Sequence, residues 1–163
     1  MKTIRIGFST SRGFKLYSLA IRLITGSKVS HTYQRIEVPE FQSEVIFQAS
    51  GLRVNYENAD LFAQHSRVVE EYEVPVTDFY AHMAERMRVT EVGKPYGVLQ
   101  VLGYAWVLLL RRCGLRVRNP LADGDASHVC VELNAKQIGL RDVEGMTPED
   151  LRQWCAANAD RVV

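Results

Sequence analysis

Cysteine is scarce in this chain. There are three, Cys113, Cys130 and Cys155, and no two are spaced as CxxC. An odd count without that spacing argues against a disulfide framework and against a zinc ribbon. A reducing compartment fits best. A dominant charge is also missing: the formal net charge is +1 at pH 7. No overall field draws in nucleic acid, so no nucleic-acid partner is expected. Long apolar runs are absent too. The longest, Val98 to Leu110, spans 13 residues and is interrupted by Gln100 and Gly103, short of the roughly 18 needed for a membrane span. The opening MKTIRIGFSTSRGF lacks the apolar core of a signal peptide. A cytoplasmic protein is therefore expected, with delivery in a phage particle or by lysis as the other route. There is no repeat, low-complexity tract or linker, which predicts one domain over residues 1–163.

What is present is ordinary in bulk: 47% hydrophobic and 24% charged residues, enough at this length for a proper core. The charge is unevenly spread. Residues 57–91 are acid-rich, whereas Arg111, Arg112, Arg116 and Arg118 crowd behind the apolar run. A basic cluster of this kind is either a solvated face or, with the apolar 98–110 stretch before it, a candidate membrane-surface contact through residues 98–118.

Alternation predicts strands at Thr3–Phe8, His31–Val38 (stopped by Pro39), Glu44–Ala49, Leu52–Tyr56 and Arg67–Val74. Ser9–Gly13 and Ser50-Gly51 read as turns. Helical spacing of Leu16, Leu19, Ala20, Leu23 and Ile24 predicts a helix over 14–25, ended by Gly26. Further helices are expected from Asp78, as N-cap, to Val92; from Val98 to Cys113; from Cys130 towards Gly139; and from Thr147-Pro148 to Ala157. Strands in the middle and helices on the flanks make an α+β fold, with antiparallel strands and helices packed on one side.

Chemistry centres on Cys130, in ASHVCVELNAKQIG. A thiol in the first turn of a helix sits in a field that favours the thiolate. Nucleophilic catalysis also needs a base and a group that orients the base. His31 heads a strand, which would hold it firmly. His128 lies two residues before Cys130, and residues two apart on a helix do not face each other. Spacing alone leaves both open. His65 and His82 carry no local signal. Cys113 and Cys155 read as packing residues, and Glu132 as a helix-surface or supporting carboxylate.

The segment EVGKPYG with HVCVELNAKQIG resembles the cysteine motif of bacterial NlpC-type cysteine peptidases, of the papain-like superfamily. The segment SHTYQRIEV with EVIFQASGLRV resembles their histidine motif. Here the histidine half comes first. That order resembles the circularly permuted branch, which includes the lecithin retinol acyltransferase-like proteins. The resemblance covers most of residues 4–56 and 90–140.

It implies a small, barrel-like, permuted papain-like sheet. It implies a Cys-His-Gln triad with Cys130 as nucleophile, His31 as base and Gln48 as orienter, and Tyr96 beside the oxyanion. It implies neither metal nor organic cofactor. The expected activity is hydrolysis of a peptide or isopeptide amide, as in cell-wall peptides, through a thioester. The alternatives are a lipid-directed acyltransferase or thioesterase, and an inactive binding module. The chain departs from the family at Val129 and Val131, which flank the cysteine, and at Thr32-Tyr33 after the histidine. Tyr33 is bulky where small residues are common, and predicts a narrower or differently shaped substrate groove.

Overall fold

A computed structural model of the chain describes residues 2–13, 16–97, 103, 106–107, 110, 114–115, 129–141, 143 and 145–163. The expected Val98–Cys113 helix, the arginine cluster and His128 lie wholly or largely outside the described residues. Six strands are described: β1 (Lys2–Ser11), β2 (His31–Val38), β3 (Ser43–Ser50), β4 (Arg53–Asn58), β5 (Ser66–Val76) and β6 (Asp160–Arg161). Among them run helices α1 (Leu16–Thr25), α2 (Ala59–His65), α3 (Asp78–Thr90), α4 (Cys130–Gln137) and α5 (Pro148–Asn158).

The strands form one antiparallel sheet in the order β4-β3-β2-β1-β5-β6. Strand β2, which begins at His31, is therefore central. Pro75 lies inside β5, although the sequence reading stopped the strand there. It is tolerated because β6 pairs only with Tyr72 and Glu73, which leaves the far side of Pro75 unpaired. Ser9–Ser11, expected as a turn, continue β1 in register with Ser66–Val68 of β5.

The two faces of the sheet differ. Ile4, Ile6 and Phe8 of β1, Phe47 and Ala49 of β3, and Val74 and Val76 of β5 alternate onto one face. They pack against α3, α4 and α5 through Ala81, Ala84, Val131, Leu133, Leu151 and Cys155. These three helices take the expected one-sided arrangement. On the alternate face Tyr33 and Ile46 form a second, smaller cluster with Phe62 of α2. The sequence reading missed α2. Its seven residues bury only Phe62, so it has no apolar stripe, and its start rests on Asn58, whose side chain accepts from the amides of Asp60 and Leu61.

Helix ends follow local chemistry. Thr147 and Asp150 form a reciprocal capping box at the start of α5, with Pro148 in the first turn. The cap of α3 is Thr77, one residue before the expected Asp78, and it makes no side-chain cap bond. After α4, Gly139 takes φ 84°. The amides of Leu140 and Gly139 bond back to the carbonyls of Ala135 and Lys136, at 3.0 and 3.2 Å. A Cβ at Gly139 would also meet the Tyr80 ring at 2.6 Å.

Candidate active site

Helix α4 is buried on nearly every side, from Cys130 through Ala135 and at Gln137. Its polar residues are matched to β2. Gln34 donates to Gln137 Oε1 at 2.7 Å, and Asn134 donates to Thr32 Oγ1 at 2.9 Å. These bonds seat the start of α4 against the start of β2, where His31 lies. Glu132, expected on the helix surface or in support, is buried. Val129, in extended conformation, is the N-cap and offers no side-chain acceptor to the first-turn amides.

Alternation along β2 sends Thr32 and Gln34 towards α4, and Tyr33 and Arg35 towards the opposite face. His31 heads the strand. Its ring stacks on Tyr33, with centroids 6.5 Å apart, and it also interacts with Cys130 at the strand's end. Its Nε2 lies 2.7 Å from Gln48 Oε1. That engagement leaves Nδ1 as the ring nitrogen for the thiol. Cys130, His31 and Gln48, 99 residues apart from first to last, thus stand in one line.

The two described cysteines are driven in opposite directions. Burial opposes ionisation of Cys130. The hydrogen bond and charge of His31, then the amide and hydroxyl of Thr32, outweigh it and hold the thiol below its ordinary value. Burial likewise opposes the charged form of His31. Cys130, Gln48 and Glu57 overcome it and leave the imidazole above its ordinary value. Cys155 is also buried, and with no such partner its thiol is pushed up to about 12. It is packing, as expected from sequence.

Thr32 was legible only as a departure, yet it touches the sulfur. Its oxygen accepts from Asn134 Nδ2, so its own proton is left for Cys130. Asn134 donates also to the Cys130 carbonyl at 2.9 Å. Thr32→Val keeps the shape and removes that proton, so the thiol pKa should rise. The pH dependence of alkylation measures this, and an unmoved profile would show that the hydroxyl does not act on the sulfur.

Tyr33 is fully buried on the face opposite α4, lies against Gly7, and donates to Glu71 Oε1 at 2.6 Å. Burial and the Glu71 carboxylate push its phenol far above the ordinary range. Tyr96 follows Pro95 in a segment bonded to β4's lead-in, its amide donating to the Leu52 carbonyl at 2.9 Å. Its ring packs on the main core, which includes Cys130.

Sequence reasoning also passed over Glu57 and His65. Gln48 Nε2 donates to Glu57 Oε2 at 2.8 Å, and His65 Nε2 meets Glu57 Oε1 at 2.8 Å. The acidic composition around Glu57 concealed its role. Its register was the available signal: Glu57 pairs with Ile46, two residues along β3 from Gln48.

No protein-family model matches the chain, and no curated protein does. The chain is similar to a solved structure from Escherichia coli O157:H7, described as the metalloprotein yiiX, DUF1105. The TM-score is 0.55 and the identity 18%, over 99% of this chain and 88% of that one. At that identity the likeness extends to the fold. Among the described residues here, no three His, Cys, Asp or Glu side chains are placed to share a metal ion. No described helix is long and apolar enough to cross a membrane.

Proposed function

We propose that this protein is a cysteine hydrolase of the permuted, NlpC-type papain-like kind, acting on a peptide or isopeptide amide. The observation that carries the reading is the Cys130–His31–Gln48 line, with the Cys130 thiol lowered while the equally buried Cys155 is raised. A structural cysteine in a core is inert, and burial raises its pKa.

In this reading His31 Nδ1 takes the Cys130 proton, giving a thiolate and an imidazolium held by Gln48. The thiolate adds to the substrate carbonyl carbon. The oxyanion is received by first-turn amides of α4, which no N-cap side chain occupies, with Tyr96 as the supporting hydroxyl. Collapse breaks the C–N bond, and His31 returns its proton to the leaving amine. Water, deprotonated by His31, then hydrolyses the thioester and restores the thiol. Val131 sits in the buried core.

A second reading, an acyl ester of lipid, draws on α1. Leu19 and Leu23 lie four apart on one face of that helix and are exposed, with Arg22 and Lys28 nearby. Incubation with cell-wall peptide fragments and, separately, with phospholipid vesicles decides between the two. New amine ends from the peptides, with a mass adduct on Cys130, are expected. An acyl adduct from vesicles alone would favour the lipid reading. Turnover that survives Cys130→Ala, or no adduct from either substrate, would overturn both.

A further inference from the structure

We infer that Glu57 is a positioning residue for this site: its carboxylate, seated by His65, fixes which end of the Gln48 amide faces His31, and so which imidazole nitrogen serves Cys130. The inference rests on the cysteine-hydrolase reading and adds to it a residue outside the expected triad.

The argument runs through donors and acceptors. A carboxylate only accepts. Glu57 Oε2, 2.8 Å from Gln48 Nε2, therefore selects the NH2 end of the amide. Gln48 is buried, at 2% exposure. Its Oε1 must then face His31 Nε2, at 2.7 Å. An oxygen acceptor there requires Nε2 to carry a proton. In the neutral ring this leaves the lone pair on Nδ1, where the Cys130 proton must go. Turned end for end, the amide would offer NH2 to His31 and favour the opposite tautomer, which cannot take that proton.

Glu57 is itself held. Its second oxygen meets His65 Nε2 at 2.8 Å, and His65 Nδ1 lies 3.1 Å from Ser66 Oγ. The His65 carbonyl accepts from the Arg12 amide at 3.0 Å, and the Phe62 ring meets the His65 ring edge-on at 5.6 Å. A surface His–Glu pair formed for its own sake would leave the other carboxylate oxygen in water. Here that oxygen accepts from a buried amide that touches the imidazole. The Glu57 charge, one amide away, also favours the imidazolium once it forms.

The test reads the tautomer and needs no substrate. In Cys130→Ala protein, at a pH above the imidazole pKa, nitrogen-resolved NMR of the His31 ring should show the Nε2–H form. Adding Glu57→Ala should bring up the Nδ1–H form to at least about a quarter of the population. Glu57→Gln can still accept from Gln48 through its carbonyl and should restore Nε2–H, which a merely structural role would not predict. Retention of Nε2–H in folded Glu57→Ala protein, or Nδ1–H before any change at Glu57, would overturn the inference. If Glu57→Ala fails to fold, His65→Ala, which unseats the carboxylate, is read the same way. The two claims fail separately. A Cys130 that alkylates no faster than Cys155 sinks the hydrolase reading and leaves the tautomer result intact.

Discussion

Replacing His31 by alanine is expected to slow alkylation of Cys130 near about pH 6.5 by roughly tenfold, and amide turnover by roughly a thousandfold. The two magnitudes differ for a physical reason. Without His31, burial is the largest influence left on the thiol. At an ordinary pKa of about 8.5 or above, only about 1% of it is thiolate at that pH. The remaining thiolate is more basic and intrinsically more nucleophilic, which recovers part of the loss in alkylation. Amide cleavage recovers nothing, because the leaving amine also needs the proton that His31 returns. Cys155 is the internal control: at about 12 its thiol should stay unlabelled in both proteins.

The same pair sets the pH profile. Activity should fall as pH drops through the Cys130 pKa, because the thiolate is protonated. It should fall again as pH rises through the His31 pKa, because the general acid is lost. The first value is lowered and the second raised, so thiolate and imidazolium should coexist over more of the pH range than free side chains, whose thiol titrates above the imidazole, would allow. Mass-spectrometric rates of modification, residue by residue, measure the alkylation. Equal labelling of Cys130 with and without His31 would remove the base from the reading.

How much of this was legible in sequence depended on the distance over which each feature is decided. His31–Val38 is bounded by a strand pattern and Pro39, and Thr147-Pro148 with Asp150 is a complete cap within four residues. Such features need nothing from elsewhere in the chain. The line of Cys130, His31 and Gln48 was reached through the order of two motifs, and its geometry appears only once β2, β3 and α4 are assembled. Helix α2, by contrast, has one buried residue and depends on tertiary packing of Phe62. The residues supporting the site were hidden for the same reason. Thr32 counted as a departure until Asn134 was seen to take its oxygen and leave its proton for the sulfur. Glu57 counted as one acid among many until strand register put it beside Gln48.

Gly7→Ala is expected to be the most damaging single methyl addition in the described sheet. Gly7 pairs with Tyr33 across β1 and β2, and a Cβ there would lie 2.1 Å from Tyr33 Cζ. The ring has nowhere to go. It packs on Phe62, with centroids 4.7 Å apart, and its hydroxyl bonds Glu71. Glu71 also pairs Arg35 at 2.8 Å and Arg5 at 3.0 Å. Overpacking alone costs about 1–3 kcal/mol, and a displaced phenol would leave part of a buried carboxylate unsatisfied for about 1–3 kcal/mol more. A total near 4 kcal/mol is expected, read as a loss in urea-unfolding free energy. Tyr33→Ala should itself cost about 3–5 kcal/mol. Combined with Gly7→Ala it should cost clearly less than the sum, because the vacated ring space admits the methyl. A coupling of about 2 kcal/mol is expected from residues in contact, and strict additivity would show that the two side chains do not compete for one space. Because His31 stacks on Tyr33, the single Gly7→Ala change should also move the Cys130 alkylation profile, even in protein that remains folded.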